Sequence, residues 1–423
     1  MNRSARCYLL TVAVSLSASF VPCAHALTSS DALPSGVRAA AFVYGVAPEV
    51  TSAFDANGEL ESLVSPLNRS VTFEELAEFE PELNRLKNVI DSIYPQNIGN
   101  QLLQADLYAD AKVHEQRYVP ALLWGITDRL SLGTMVPISK RRIEASFDAE
   151  VTNQGRKLRE LVGQIPALKE AAQQLQNANV NTALFTEKIF AEHGYQTPTN
   201  YHKSGLGDVE FETRYLYFRS EMLNMSARAN LKFPTGEANA DPTNLLDRPF
   251  GNGHYALKLG LLQDFRPFGP RWILSSGLFF THNFEGRERK AVRKSADQLL
   301  PDLHDPQQIE MLRKKRGFDL ASDVGISRSF FDGVIWIAAS YLYTLHAQDR
   351  YSGDRSLDYA SLSENTRSEE HGVEYSFEVS SIQLFLKEMF PIPGKLVFAW
   401  YQPFRGKHAM YTPYGRMDFA LLF

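Results

Sequence analysis

Apolar and polar residues alternate with a period of two along much of the chain. The last nine residues, GRMDFALLF, show the pattern: Met417, Phe419, Leu421 and Phe423 are apolar, with Arg416 and Asp418 between them. A period of two puts successive side chains on opposite faces of a strand. In 207–218 the polar set is Asp208, Glu210, Glu212 and Arg214, and the opposite set is Val209, Phe211, Thr213, Tyr215 and Tyr217. In 222–233 Asn224, Ser226, Arg228, Asn230 and Lys232 alternate with Leu223, Met225, Ala227, Ala229, Leu231 and Phe233. A hairpin centred on Ser220 would set Glu212 against Arg228 and Asp208 against Lys232, opposite charges on one face.

These strands come in pairs with short links. Turn residues stand at Thr127-Asp128, at Ser220, from Pro267 to Pro270, at Phe331-Asp332-Gly333, and in KEMFPIPG before the strand KLVFAWYQPF. Long polar stretches separate the pairs, at roughly 49–104, 147–204, 235–251, 285–316, 348–370 and 405–411. Short links alternating with long ones are the pattern of an antiparallel transmembrane β-barrel, with tight periplasmic turns and long extracellular loops. A soluble sandwich has no reason to collect its long loops at one end.

The expected fold is therefore all-β, a barrel of about twelve strands. One strand lies near 37–47, a long one near 105–126, and ten follow. Splitting 105–126 and adding 49–57 gives the alternative of fourteen. The lack of turn residues within 105–118 favours twelve. The loops at 49–104 and 147–204 are expected to carry helices as lids. Segment 155–176 repeats Leu158, Leu161, Val162, Ile165, Leu168 and Ala172 at helical spacing. Segment 72–93 opens with Thr72 and Glu75 at capping-box spacing, and 296–315 reads as a helix broken by Pro301 and Pro306.

A Lys or Arg facing lipid at mid-membrane costs about 2–4 kcal/mol. The charged positions of the strands should therefore face the lumen. The candidates are Asp208, Glu210, Glu212, Arg214, Arg228, Lys232, Lys258, Asp323, Glu374, Glu378, Arg416 and Asp418. Aromatic residues gather where membrane interfaces are expected, at Trp124, Tyr215, Tyr217, Phe218, Trp272, Trp336 and Trp400. Phe423, last in the chain and on the oily face, is the expected signal for the outer-membrane assembly machinery.

The first residues follow another rule. Arg3 and Arg6 precede an apolar run from Tyr8 to Val21 and then AHA at 24–26. That is the form of a secretory leader, expected to be cleaved after Ala26. Both cysteines, Cys7 and Cys23, lie within it, so the mature chain is expected to use neither disulfide nor thiolate chemistry. The whole chain has 44 basic and 49 acidic residues, net −5. The leader removes two arginines and no acid, which leaves −7 and excludes a nucleic-acid binder. A basic run, RERKAVRKS at 287–295, reads first as a solvated outer loop and second as a contact for the phosphates of lipopolysaccharide.

GLGDVEFETRYLYF at 205–218, ANLKFPTGEAN at 229–239 and WGITDRLSLGTMVPI at 124–138 resemble the outer-membrane proteins associated with meta-cleavage pathways for aromatic compounds such as phenol. The resemblance covers roughly 118–283. It implies a channel for small hydrophobic or aromatic molecules, distantly like the long-chain fatty-acid transporters, with no cofactor. Two other classes remain open. One is a structural or adhesion protein that uses the barrel as an anchor, discriminated by whether the large loops fold inward or project outward. The other is a lipase- or protease-like barrel enzyme, which would need a serine beside His254 or His282. Among metal and phosphate motifs, H-E-x-x-H, an EF-hand and a P-loop do not occur, and DANGELE at 55–61 reads as a solvated turn rather than a calcium loop.

Overall fold

In the computed structural model the described residues are 30–65, 68–72, 103–154 and 190–423, without 155, 297 and 299 and with 88, 156, 157 and 160. Twelve strands close into an antiparallel barrel, and two more extend the wall beyond it. The barrel strands are β1 (Arg38–Val50), β2 (Leu103–Thr127), β3 (Leu130–Met135), β4 (Val209–Arg219), β5 (Leu223–Phe233) and β6 (Ala256–Phe265). They continue as β7 (Trp272–Asn283), β8 (Asp319–Phe330), β9 (Ile335–His346), β10 (Ser368–Ser380), β11 (Gly394–Lys407) and β12 (Tyr414–Leu422). Each pairs with its neighbour in the chain, and β1 closes the ring against β12 from Ala39↔Leu422 to Val46↔Gly415. Closure leaves no free strand edge, the condition for crossing a membrane with strands. Among the described residues no helix is long and apolar enough to cross.

The twelve-strand count holds because 103–127 is one strand of 25 residues that changes partners. Its later part pairs with β1 and β3. Its earlier part pairs with strand Ile138–Val151, from Ala105↔Val151 to Tyr118↔Ile138, and that strand pairs with Tyr201–Leu206. The two extra strands thus extend the wall on the loop side. Segment 49–57 adds no barrel strand. Ser52–Phe54 instead forms a small sheet with Leu60–Ser62 and Ala409–Met410.

Two expectations need correction. Segment 296–315 contains a 3-10 turn, Pro306–Gln308, followed by strand Ile309–Lys315. That strand pairs with Gly286–Ala291 and Arg350–Ser352 in a three-stranded extracellular sheet. Local helix propensity yields there to burial of Val292, Leu312 and Leu362 in one cluster. The β4–β5 register also differs. Arg228 stands opposite Arg214, Asn230 opposite Glu212 and Lys232 opposite Glu210. The turn occupies 220–222, closed by Ser220 N–H to the Leu223 carbonyl at 2.9 Å, and pairs Arg219 with Asn224 and Phe218 with Met225; a bulge at Tyr217 then sets Leu216 against Ser226. Beyond the bulge each partner is moved by two positions, and the residues up to Leu216 keep their alternating faces while Tyr217 and Phe218 are both exposed.

Helices expected at 72–93 and 155–176 lie almost wholly outside the described residues. Thr72 ends a short strand, Arg69–Thr72, and residues 153, 154, 156, 157 and 160 are helical.

Candidate functional site: the barrel interior

Alternation along each strand separates a buried inner face from an exposed outer one. On β4, Glu212, Arg214 and Leu216 are buried while Phe211, Tyr215 and Tyr217 are exposed. The outward set carries the aromatic residues expected at the interfaces, with Trp124, Phe218 and Trp400 exposed. Trp272 stacks against Arg328, whose guanidinium lies 4.8 Å from the ring centre.

The twelve predicted positions fall on the buried or half-buried side of their strands. Glu212 accepts from Arg214 at 3.0 Å and also from Arg228. The pairing with Arg228 therefore exists, although it runs diagonally and not straight across. Glu210 takes Lys232 at 3.5 Å and the Asn230 amide at 3.0 Å. Arg416 grips both oxygens of Glu374 at 3.0 Å and Asp418 at 3.1 Å. Glu378 lies 3.7 Å from Lys395. Lys258 sits 4.6 Å above the ring of Phe279. Gly260 makes this possible, since a Cβ there would meet the Phe279 ring at 2.4 Å. Asp323 is buried opposite Leu342. Asp208 does not meet Lys232. It accepts from the backbone N–H groups of Gly236 (3.1 Å) and Asn252 (2.8 Å), and so ties down the loop after β5.

Both ends of this polar belt are covered. At the loop end, Val50, Leu63, Ile143, Leu246, Leu342 and Tyr401 belong to one buried apolar cluster. Leu63 and Leu246 come from loops, which therefore fold inward over the mouth. At the turn end, the segment before β1 enters the barrel. Ser30 is 0% exposed and gives both its N–H and its hydroxyl to Asp264, each at 2.8 Å. Asp31 accepts from Asn224 at 2.7 Å and lies 3.6 Å from Arg266. Leu33 N–H donates to Ser131 at 2.7 Å. Gly125 leaves room for the arm, because a Cβ there would stand 2.0 Å from the Pro34 carbonyl oxygen. Sequence patterning did not mark residues 30–36, which have no period. The one available hint was a glycine, Gly125, between Trp124 and Ile126 in an apolar strand, where a close backbone approach is a common reason.

Outside the barrel, the basic run divides. Arg293 is buried against Asp358 at 3.0 Å, and Lys290 with Lys314 flanks Glu288 at 3.1 and 3.0 Å. Burial opposes the charged form of Glu288, yet the two lysines hold its pKa down to about 2. Arg287 and Arg289 stay exposed. His254 is held by the Asn252 carbonyl (2.8 Å) and Asn283 (3.3 Å), and His282 packs on Phe284. Neither contact brings a serine hydroxyl to either ring. Asp55 caps its own turn, accepting from the N–H groups of Asn57 and Glu59 at 2.8 Å.

A closed ring of twelve antiparallel strands with an aromatic outer face and a charged inner one defines an outer-membrane β-barrel. No protein-family model and no curated protein matches the sequence. Among solved structures, an outer-membrane channel from Pseudomonas putida F1 aligns over 96% of this chain and 100% of its own, at 11% identity and a TM-score of 0.50. The two share a fold. Weaker likenesses include the toluene transporter TodX of P. putida, at 8% identity over 92% of this chain and 90% of that one, with a TM-score of 0.32. The monoaromatic hydrocarbon channel CymD aligns at 6% identity over 92% and 88%, with a TM-score of 0.31.

Proposed function

We propose that the barrel is a channel for passive passage of small hydrophobic or aromatic solutes across the outer membrane. The observation that carries this reading is the inward fold of the loops, which puts Leu63 and Leu246 into an apolar cluster at the mouth. A barrel serving only as an anchor has no need to draw its loops inward into an apolar layer over a charged interior. The solute would enter through this cluster, where apolar surface is already gathered, and meet the polar belt at Asp323 and Leu342. The belt pairs Glu212, Glu210, Glu374 and Asp418 with cations of the same wall, while Asp323 Oδ1, Asp418 Oδ1 and Arg228 Nε and Nη1 lack a hydrogen-bond partner among the described residues. Glu212, Arg214, Arg228, Lys232, Glu210 and Lys258 form one part of that wall, and Glu374, Arg416 and Asp418 another. The final barrier is the arm at Ser30–Gly36, which has to shift for the solute to leave. The resemblance of segments 118–283 to the meta-cleavage-associated proteins points to the same solute class.

The test is entry of a radiolabelled monoaromatic compound into cells that express the protein or lack it, with an intracellular enzyme trapping the product. Faster initial uptake with the protein present is expected. Equal rates in both strains, with correctly folded barrel in the outer membrane, would refute the reading.

A further inference from the structure

The turns at the closed end are short except for the one between β10 and β11, which runs from 381 to 393 and reads SIQLFLKEMFPIP. Its base is clamped. Ser381 and Gly394 exchange backbone and side-chain hydrogen bonds, with Ser381 N–H to Gly394 O at 2.9 Å and Gly394 N–H to Ser381 Oγ at 2.9 Å. The Ser381 hydroxyl also donates to Ile392 O at 2.6 Å. A short helix, Ile382–Leu386, follows. It ends with Glu388 at φ +60° and Met389 N–H bonded to Leu384 O at 2.8 Å, the reversed geometry of a helix C-terminus. Lys387 pairs with Asp332 of the neighbouring turn at 3.2 Å. The elbow is thus fixed at its base and at its flank.

This fixed element displays apolar side chains outward. Leu386 is 68% exposed and Met389 71%, and Phe385, Phe390 and Ile392 are exposed beside them. Phe385, Leu386, Met389 and Phe390, with Glu388 and Pro391, line a shallow groove of about 570 Å³. A contiguous patch of this kind marks an interaction surface. Its continuity with the barrel wall identifies the partner. Phe377 and Val379 on β10 and Phe398 on β11 are exposed on the outer face and lead into the elbow from both strands. The elbow also touches the closing strand, with Leu422 N–H donating to Pro393 O at 2.9 Å.

We propose that the 381–393 elbow is a membrane anchor, seated at the boundary of headgroups and acyl chains in the periplasmic leaflet of the outer membrane. It extends the lipid-facing belt beyond the strand ends, next to the seam where β12 meets β1. This holds whatever the barrel passes.

The test uses the chain from residue 27 onward, folded into phospholipid vesicles. Cys7 and Cys23 both precede that residue, so Phe390→Cys introduces the sole thiol for an environment-sensitive fluorophore. Glu364→Cys, exposed in an extracellular loop, is the reference site. The account expects blue-shifted emission at 390, quenched by phospholipid carrying a nitroxide near the headgroup and insensitive to iodide, with the reverse at 364. Water-like emission at 390 overturns it, and so does shielding from both quenchers, which would indicate contact with a second copy of the chain. A second variant guards against misfolding. Leu386→Glu with Met389→Glu should fold in detergent, as read by heat-dependent gel mobility, but fold several-fold more slowly into vesicles. An unchanged rate in vesicles would also overturn the anchor.

Discussion

Replacing Arg416 by Met tests whether the inner charges hold the barrel together. Arg416 has a side chain 0% exposed and makes three hydrogen bonds, two to Glu374 and one to Asp418. Methionine fills similar volume but leaves both carboxylates without their cation. Breaking a buried pair by removing one partner costs about 3–5 kcal/mol. Glu374 and Asp418 keep 9% and 11% of their side-chain surface, so some of the stranded charge reaches water. That places the loss near the lower end, about 3 kcal/mol. The assay is equilibrium unfolding by urea in lipid vesicles, followed by tryptophan fluorescence. Adding Glu374→Gln removes one stranded charge, and the double variant should regain about 1–2 kcal/mol, a coupling within the range of contacting residues. A loss under about 1 kcal/mol, or strict additivity in the double variant, would refute the view that this triad is closed and dry.

Other consequences follow from the same structure. In Gly125→Ala the new Cβ meets the Pro34 carbonyl oxygen, so the arm at 30–36 should be displaced and become open to added protease, while native protein is cut there slowly. Glu288 has a pKa held below its unfolded value, so its contribution is complete above about pH 4.5 and disappears as pH falls towards 2. Acid titration should therefore loosen the sheet formed by 286–291, 309–315 and 350–352 in that window, read by hydrogen exchange. Glu288→Gln should weaken the same sheet at neutral pH and flatten the acid transition. Deleting Phe423 removes a residue that exchanges two backbone hydrogen bonds with Arg38, at 2.8 and 2.9 Å. Outer-membrane levels of the barrel should drop, as read by heat-dependent mobility of membrane fractions.

Much of the wall was legible in the sequence, because a barrel strand obeys one local rule. Lipid on one side and a polar interior on the other force a period of two, and Glu212, Arg214, Arg228 and Asp418 lie on the buried face of their strands. Turn residues located the short links, including Phe331-Asp332-Gly333, where Phe331 and Asp332 take φ of 52° and 54°. The β4–β5 register escaped because Ser220 opens its turn and does not centre it, and because a bulge at Tyr217 shifts the pairing once more. The helix expected at 296–315 failed because propensity is weak beside the burial of Val292 and Leu312. The arm at 30–36 was invisible for a different reason. Its contacts to Asp264, Asn224 and Ser131 are hydrogen bonds across long sequence separations, and neither periodicity nor composition records them. The apolar cover at the mouth was likewise assembled from Val50, Leu63, Leu246 and Tyr401, which are scattered along the chain.

The most direct test of the channel reading is conductance in a planar lipid bilayer, with the refolded native protein compared at equal insertion with a Gly125→Ala, Leu63→Ser, Leu246→Ser variant, in which neither the arm nor the apolar cover of the mouth is held. With the arm seated and the mouth covered, the native barrel should pass little or no steady current. The variant, with its arm displaced from the Asp264 end of the lumen, should carry a steady current that a small aromatic solute reduces. Silence from both proteins, with both barrels folded by gel mobility, would contradict a path through the lumen and leave the barrel as an anchor.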